Sequence, residues 1–445
     1  MKMTTRTKTL TAALGIGLFG VGMFAGNGAM AASQSDVELA KNAYIYGYSI
    51  DEAYKFFYRT VVDKDYPLNR FQNIRHIADD TYTDHVTINN DTLHVMGWLD
   101  VAAEPVIVSV PDMDEGRYWI LHTMDMGHYT NAMIGSRTQG TKGGRYMFAS
   151  QSWQGEVPAS VDKVIRVESN LVKLMGRIMA VGKEDEKVAL NYMDQWTLRT
   201  LSEYLGENGP KPVERKYPDV NNTSWLERVN FMLCDGSMAD ADKMWVEQYK
   251  SIGIEACKYD FTEKQLELAK IGEKVGMEHL LQLAPKIVDS RKLLGTRESL
   301  GTGARDEFSE GTLIGQWGLP PVEASYRQAV VDSDGDVLDG SKHDYVMRFK
   351  APNTSEFWSV TTYANDTRLM EKNAMNRHSR GDRTLKPDAD GYYTIYMSSD
   401  TKGRENDSNF LPIPNKPFYN VLRLYGPDAD IQSGKYQMPA TVKAK

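Results

Sequence analysis

The chain has 445 residues, with 52 Lys plus Arg against 60 Asp plus Glu, and a formal charge of −8 at pH 7. An acidic balance of this kind argues against general binding to nucleic acid or to an anionic membrane surface. The length exceeds what a single hydrophobic core usually serves, so two or more domains are predicted.

Lys2, Arg6 and Lys8 precede an apolar run from about Leu10 to Ala25, and Ala29-Met30-Ala31 follows. Charge, short hydrophobic core and small-residue site together form the pattern of a cleaved export signal. A membrane-spanning helix wants roughly 20 apolar residues, and this run is shorter and broken by glycines. Cleavage after Ala31 would leave 414 residues at a formal charge of −11, because the leader carries three bases and no acid. No cysteine adjoins the cleavage point, so the expectation is a periplasmic or secreted protein without a stable membrane anchor. Gly15, Gly17 and Gly20 spell GxGxxG inside this leader, where no strand or crossover helix gives the motif meaning. Cys234 and Cys257 could pair in an oxidising compartment, but spacing alone leaves that open. They have no CxxC spacing and no neighbouring His pattern for zinc.

Residues 32–82 open with a helix, with Ser35 as its predicted N-cap and Tyr44, Tyr48, Tyr54, Phe57 and Tyr58 as a core-packing stripe. Residues 83–185 change texture. VIVSV at 106–110, RYWILHT at 117–123 and RYMFAS at 145–150 are short β-prone runs separated by Pro, Gly and Asp clusters. Residues 186–320 read as a helical connector, with Val188, Tyr192 and Trp196 at helical spacing and a capping box at Thr262 and Gln265 ahead of Leu268, Ile271 and Val275. Residues 321–445 return to β patterning. Tyr345, Met347 and Phe349 alternate with polar neighbours, and Asp390-Gly391 marks a turn before another strand. The predicted class is α+β: two mainly antiparallel β-sandwich or jelly-roll-like domains joined by a helical region.

Longer motifs carry a resemblance. In the first half they are Asn89-Asn90-Asp91-Thr92-Leu93, Leu99-Asp100, Glu104-Pro105, Val110-Pro111-Asp112, Thr130-Asn131 and Ile134-Gly135-Ser136-Arg137-Thr138 with Gly140. In the second half they are Asp334-Gly335, Leu338-Asp339-Gly340, Phe357-Trp358-Ser359-Val360-Thr361, Asp390-Gly391, Leu411-Pro412-Ile413-Pro414 and Arg423-Leu424-Tyr425. Across nearly all of the chain after the leader, the sequence resembles secreted proteins that pair domain of unknown function 1254 with domain of unknown function 1214. It departs at Asn409-Phe410, where the family usually carries Asn-Trp, and around Met126-Gly127-His128, which is one residue longer. The resemblance implies two β-sandwich domains and a helical part, and no settled reaction.

The densest chemistry lies from Asp84-His85 to His94, with acids, amides and imidazoles beside a β run; the bland reading is a turn whose Asn and Asp side chains cap their own backbone. His122, Asp125 and His128 suggest a metal set, but strand periodicity puts Asp125 on the opposite face from the two histidines. Asp332, Asp334 and Asp336 lack the Gly and the carboxylate that a calcium loop needs at its sixth and twelfth positions, so they read as a hairpin turn. There is no nucleophile elbow, zinc helix or phosphate loop, and neither metal nor cofactor is expected. The reading these residues support is an exported enzyme that acts on a glycan or another polar small molecule by hydrolysis or β-elimination in an inter-domain cleft. Asp91 or His94 would serve as general acid or base with His128 or Tyr146 as partner, and Arg137 would stabilise developing negative charge. Asn90, Trp358, Arg423 and Tyr425 would contact substrate. The alternative is a non-catalytic envelope or ligand-binding protein, and no feature sets an oligomeric state. Mass analysis of the protein recovered from the bacterial envelope is expected to give a mature chain starting at Ala32; an intact Met1 terminus would overturn the leader.

Overall fold

The computed structural model describes residues 32–237, 239–287, 289–301 and 305–444. The leader read at residues 1–31 lies outside them. In chain order the strands are β1 (Thr92–Asp100), β2 (Val106–Val110), β3 (Trp119–Asp125), β4 (Thr130–Gly135), β5 (Gly144–Ser150), β6 (Lys163–Val167), β7 (Leu171–Met179) and β8 (Thr197–Thr200). A second set follows: β9 (Ala324–Ala329), β10 (Tyr345–Lys350), β11 (Thr354–Ala364), β12 (Ser379–Gly381), β13 (Tyr392–Ser398), β14 (Phe410–Pro412), β15 (Phe418–Pro427) and β16 (Thr441–Lys443). They build four sheets, ordered β1-β7-β3-β4, β6-β5-β2-β8, β12-β11-β15-β9 and β14-β13-β10-β16. All pairings are antiparallel except β5 with β6 and β13 with β14. The class is α+β, and no described helix is long and apolar enough to cross a membrane.

Period-two alternation explains the first sandwich. Leu93, Val95 and Leu99 of β1 and Leu174 and Ile178 of β7 point inward to meet Val106 and Val108 of β2 and Phe148 of β5. The second sandwich repeats the arrangement, with Trp358 and Val360 of β11 and Leu422 and Leu424 of β15 facing Met347 of β10 and Ile395 of β13.

Each sandwich presents one further buried face. The outer side of β1-β7-β3-β4 is covered by the Gln34–Phe57 helix and its partners, where Phe57 meets Trp98 edge-on at 5.1 Å. Tyr363, Tyr419 and Val421 of the β11-β15 sheet enter the same core. Directly between the sandwiches, Tyr118 and Ile120 pack with Phe357 and Tyr425.

The first helix starts two residues earlier than expected. Ser33 is its N-cap and accepts from the Asp36 amide at 3.1 Å, while Ser35 lies within the first turn and shares a hydrogen bond with the Ser33 hydroxyl. Tyr44, Tyr48, Tyr54 and Phe57 of the expected stripe are buried, although Tyr44 meets Trp225 of a neighbouring helix rather than a sheet. Trp196 also differs: the Gly182–Gln195 helix ends before it, and its indole joins the core of the first sandwich. The Thr262–Gln265 capping box is present at the start of the Glu263–Leu283 helix. Cys234 and Cys257 form a disulfide with Cα atoms 4.7 Å apart.

That last long helix approaches the first one through glycine. A Cβ on Gly272 would sit 2.4 Å from the Ala40 carbonyl oxygen, a backbone atom that cannot turn aside. Gly272→Ala is expected to destabilise the fold by about 1–3 kcal/mol, the usual effect of overpacking, and Lys270→Ala by less than about 0.5 kcal/mol. Urea unfolding midpoints check both; equal midpoints would show that the two helices are not in close contact.

Candidate functional site

A sheet buried on both faces must place its alternate polar residues inside the protein. On β1 the outward residues include His94 and Trp98; on β7 they are Lys173, Met175 and Arg177; on β3 one is His122. Register sets His94 opposite Arg177 and Trp98 opposite Lys173. All four titratable side chains are buried.

His94, Met175 and Arg177 line a cavity of about 140 Å³. Its other walls are residues 85–89, Tyr326, Arg423 and Tyr425 of the β9-β15 pair, and Trp317. The cavity is therefore built by both sandwiches and by the segment that joins the helices to β9.

Its polar side chains include Arg177, Arg327 and Arg423, the hydroxyls of Ser290, Tyr326 and Tyr425, and one carboxylate, Asp289, which is paired with Arg291 at 2.9 Å. Arg177 gives Nη2 to the Trp317 carbonyl at 3.1 Å, but its Nε and Nη1 have no partner among the described residues. The Trp317 indole Nε1 is likewise unpartnered. Arg423 donates to Thr361 Oγ1 at 3.0 Å and to the Thr87 carbonyl at 2.7 Å. Buried polar groups are ordinarily paired, and an unpaired cationic donor is the costliest exception.

The state of His94 follows from its neighbour. Asn89 Oδ1 accepts from the Asp91 amide, the Thr92 amide and the Thr92 hydroxyl, each at 3.0 Å, which fixes the orientation of the amide group. Asn89 Nδ2 therefore donates to His94 Nε2 at 3.2 Å. Burial, and next the Arg177 charge, push the His94 pKa well below its ordinary value, so the ring is neutral. A neutral ring that accepts at Nε2 carries its proton on Nδ1, and Nδ1 is unpartnered. In this state His94 offers a hydrogen-bond donor at Nδ1. His85, on the same wall, is also held neutral by burial and then by the Lys173 charge, and its Nε2 is unpartnered.

A second, larger cleft of about 450 Å³ lies on the other side of the 85–91 segment, lined by Asn90, Asp91, Trp358, His378 and Asp382 among others. Asp91 Oδ2 accepts from the Ser359 hydroxyl at 2.7 Å, and burial raises the pKa of this carboxyl, with the Asp382 charge adding to the rise. Asn90 donates to the Ala78 carbonyl and accepts from Ser379.

The expected site residues thus divide. His94, Arg423 and Tyr425 meet at the cavity, and Asn90, Asp91 and Trp358 at the larger cleft. Trp358 presents little surface there, because its ring packs edge-on against Phe349 and Tyr393 in the second sandwich. Three candidates, Arg137, Tyr146 and His128, lie outside both. Arg137 Nε is paired with Glu323 Oε2 at 2.8 Å, and Tyr118 donates to the other oxygen at 3.0 Å, so this arginine clamps the sandwiches together. Tyr146 belongs to the first sandwich core, with its hydroxyl on the Gly143 carbonyl at 3.3 Å, and burial pushes its pKa up to about 12. His128 is buried behind the cavity wall with its ring 4.2 Å from that of Trp317, and burial lowers its pKa to about 3.

The histidine metal set is split as well. Asp125 Oδ1 accepts from the Gly127 and Tyr129 amides, both at 2.9 Å, and so shapes the turn in which His128 sits. His122 Nε2 instead faces the Thr130 hydroxyl at 3.0 Å. Among the described residues the one acidic group compact enough for an ion is Asp332, Asp334 and Asp336. The ammonium of Lys443 already sits there, at 3.3, 3.3 and 2.5 Å, across the hairpin that the Val331–Val337 bridge closes.

Arg177, Lys173 and Trp317 escaped the sequence reading. A signal existed: Lys173 and Arg177 stand four apart in the otherwise apolar LVKLMGRIM, which as a strand puts both cations on one buried face.

Residues 68–200 match the family model described as protein of unknown function (DUF1254), and residues 323–429 match protein of unknown function (DUF1214). No curated protein matches the chain. Among solved structures, the crystal structure of the VPA0106 protein from Vibrio parahaemolyticus is 71% identical with a TM-score of 0.81, covering 92% of this chain and 100% of that one. An uncharacterized protein from Burkholderia cenocepacia covers 92% of this chain and 93% of its own at 11% identity and a TM-score of 0.46. The chain belongs to the family that pairs an N-terminal DUF1254 region with a C-terminal DUF1214 region.

Proposed function

We propose that the protein works outside the cytoplasm on a small anionic molecule, held in the cavity of about 140 Å³ by Arg177 and by His94 Nδ1–H. The observation that carries this reading is the set of unpaired donors. Arg177 Nε and Nη1, His94 Nδ1 and Trp317 Nε1 belong to residues that line one cavity and have no acceptor among the described residues. A carboxylate or phosphate supplies several acceptor oxygens at once, and an arginine can meet two of them in parallel. Mostly apolar pockets with a few convergent polar groups are the usual form of small-molecule sites. The volume of about 140 Å³ suits a small acid better than a glycan chain.

A second reading is favoured by the larger cleft. A buried carboxyl with a raised pKa, Asp91, faces that cleft and is suited to act as a general acid, so hydrolysis or β-elimination of a sugar-like substrate would take place there. New reducing ends or unsaturated products from a glycan panel, lost in Asp91→Asn, would support this reading over the first.

The anion reading is tested by thermal unfolding with propionate, lactate, benzoate and inorganic phosphate. At a ligand concentration of 100 Kd the expected stabilisation is about 2.7 kcal/mol. Arg177→Met removes a charged hydrogen bond that contributes about 1.5–3 kcal/mol, so affinity is expected to fall roughly 10- to 100-fold. The same substitution is expected to raise the unfolding temperature of the ligand-free protein, because it removes an uncompensated buried charge. No shift with any of these anions, or equal shifts in both proteins, would sink the reading.

A further inference from the structure

The cavity takes its polar and its apolar lining from different parts of the chain. Its unpartnered donors belong to β1, β7 and Trp317, all buried. Much of the apolar wall comes instead from residues 287–294 and from the end of the Arg305–Ile314 helix: Ile287, Leu293, Leu294 and Ile314, joined by Val421 of β15. Ile287, Ile314, Gln316 and Gln328 are only half-buried and mark where the cavity approaches the surface.

This apolar corner is built into the fold. Ser290 is tied to β9 twice, its amide donating to the Tyr326 carbonyl at 3.2 Å and its hydroxyl accepting from the Tyr326 amide at 3.1 Å. Two glycines let the leucines close in. A Cβ on Gly311 would lie 2.6 Å from the Leu293 carbonyl oxygen, and one on Gly318 2.4 Å from Leu294 Cδ1. Packed backbone and side chains of this kind hold the wall in place before any ligand arrives.

Charge is distributed as unevenly as polarity. Arg177 keeps two nitrogens without partners among the described residues. Arg423 already donates to Thr361 and Thr87, and Arg327 to Ser325 Oγ and to the Ile431 carbonyl, both at 2.7 Å. The carboxylate of the lining, Asp289, belongs to the same 287–294 segment as the leucines and repels a second anion there. One unpaired guanidinium suits one carboxylate, and the leucine and isoleucine wall suits a body without charge.

We propose that the ligand is a monocarboxylic acid with a short apolar body, bound with its carboxylate on Arg177 and its body against Ile287, Leu293, Leu294 and Ile314, and that an acid carrying a second carboxylate on that body is refused. The inference rests on the anion reading of the cavity and names the ligand class within it. Each methylene that enters such a wall strengthens binding about fourfold.

The folded mature protein would be titrated calorimetrically with propionate, hexanoate, adipate and hexanol. Hexanoate is expected to bind at least roughly tenfold more tightly than propionate, the three added methylenes supplying the gain. Adipate, of equal length but with a second carboxylate, is expected to bind at least roughly tenfold more weakly than hexanoate, because a buried charge without a partner is costly. Ile314→Asn, at a half-buried position, is expected to weaken hexanoate about fivefold or more and to leave propionate within about twofold, whereas Arg177→Met weakens both acids by the same factor. Equal affinities for propionate and hexanoate, adipate binding as tightly as hexanoate, or an Ile314→Asn protein that loses both acids alike would overturn the inference and leave the anion reading standing. Hexanol binding as tightly as hexanoate, or no binding by either acid, would overturn both.

Discussion

The sheet β1-β7-β3-β4 has no solvent face. Its inner side fills the first sandwich, and its outer side lies under helices and against the second sandwich. Strand geometry sends every second side chain to that outer side, so any polar residue there enters a low-dielectric interior and must find a partner or lose its charge. His94, His122, Lys173 and Arg177 are the consequence. The histidines and the lysine respond by shifting toward neutrality, and Arg177 is left with unused donors beside the cavity. The candidate site is thus a product of double burial rather than of a loop projecting into solvent.

The same constraint explains the segment before β1. Its residues are tied to the second sandwich almost one by one. Thr87 accepts from Arg423 and bonds the Tyr419 hydroxyl, the Ile88 carbonyl accepts from Tyr363, Asn90 accepts from Ser379, and Asp91 accepts from Ser359. Glu323 adds a further tie by joining Arg137 and Tyr118 across the interface. Such a strap holds the two sandwiches at a defined separation, which is what a cavity between them requires. It also serves as the wall between the cavity and the larger cleft, so residues two positions apart, Asn89 and Asp91, face different chambers.

Neutral histidine and paired acid are the prevailing states around the site. Asp125 shapes a turn and His122 faces a threonine, so the imidazoles that look like metal ligands in the sequence serve packing and hydrogen bonding instead. At the far hairpin a lysine takes the position that a cation would have among three aspartates. Elsewhere in the chain buried charges meet each other, as Arg215 does with Asp100 and Asp235 and Arg228 with Asp51.

The sequence by itself determined the class and much of the framework. Alternation at Tyr345, Met347 and Phe349 is a local property of a strand with one buried face, and the capping box at Thr262 and Gln265 is a local property of a helix start; both are legible because neighbours along the chain decide them. The ordered motifs were sufficient to place the chain in its family. The segment from His85 to His94 was also visible as unusual, and its dual use as turn and wall is consistent with both readings of it. What tertiary structure alone decided was partnership. Arg137 and Arg423 look alike in sequence, yet one meets Glu323 across 186 positions and the other reaches the cavity, because pairing depends on which strands the fold brings together. Tyr146 fell into a core for the same reason, and Arg177 and Lys173 acquired their meaning only when helices and a second sandwich closed over the face that carries them.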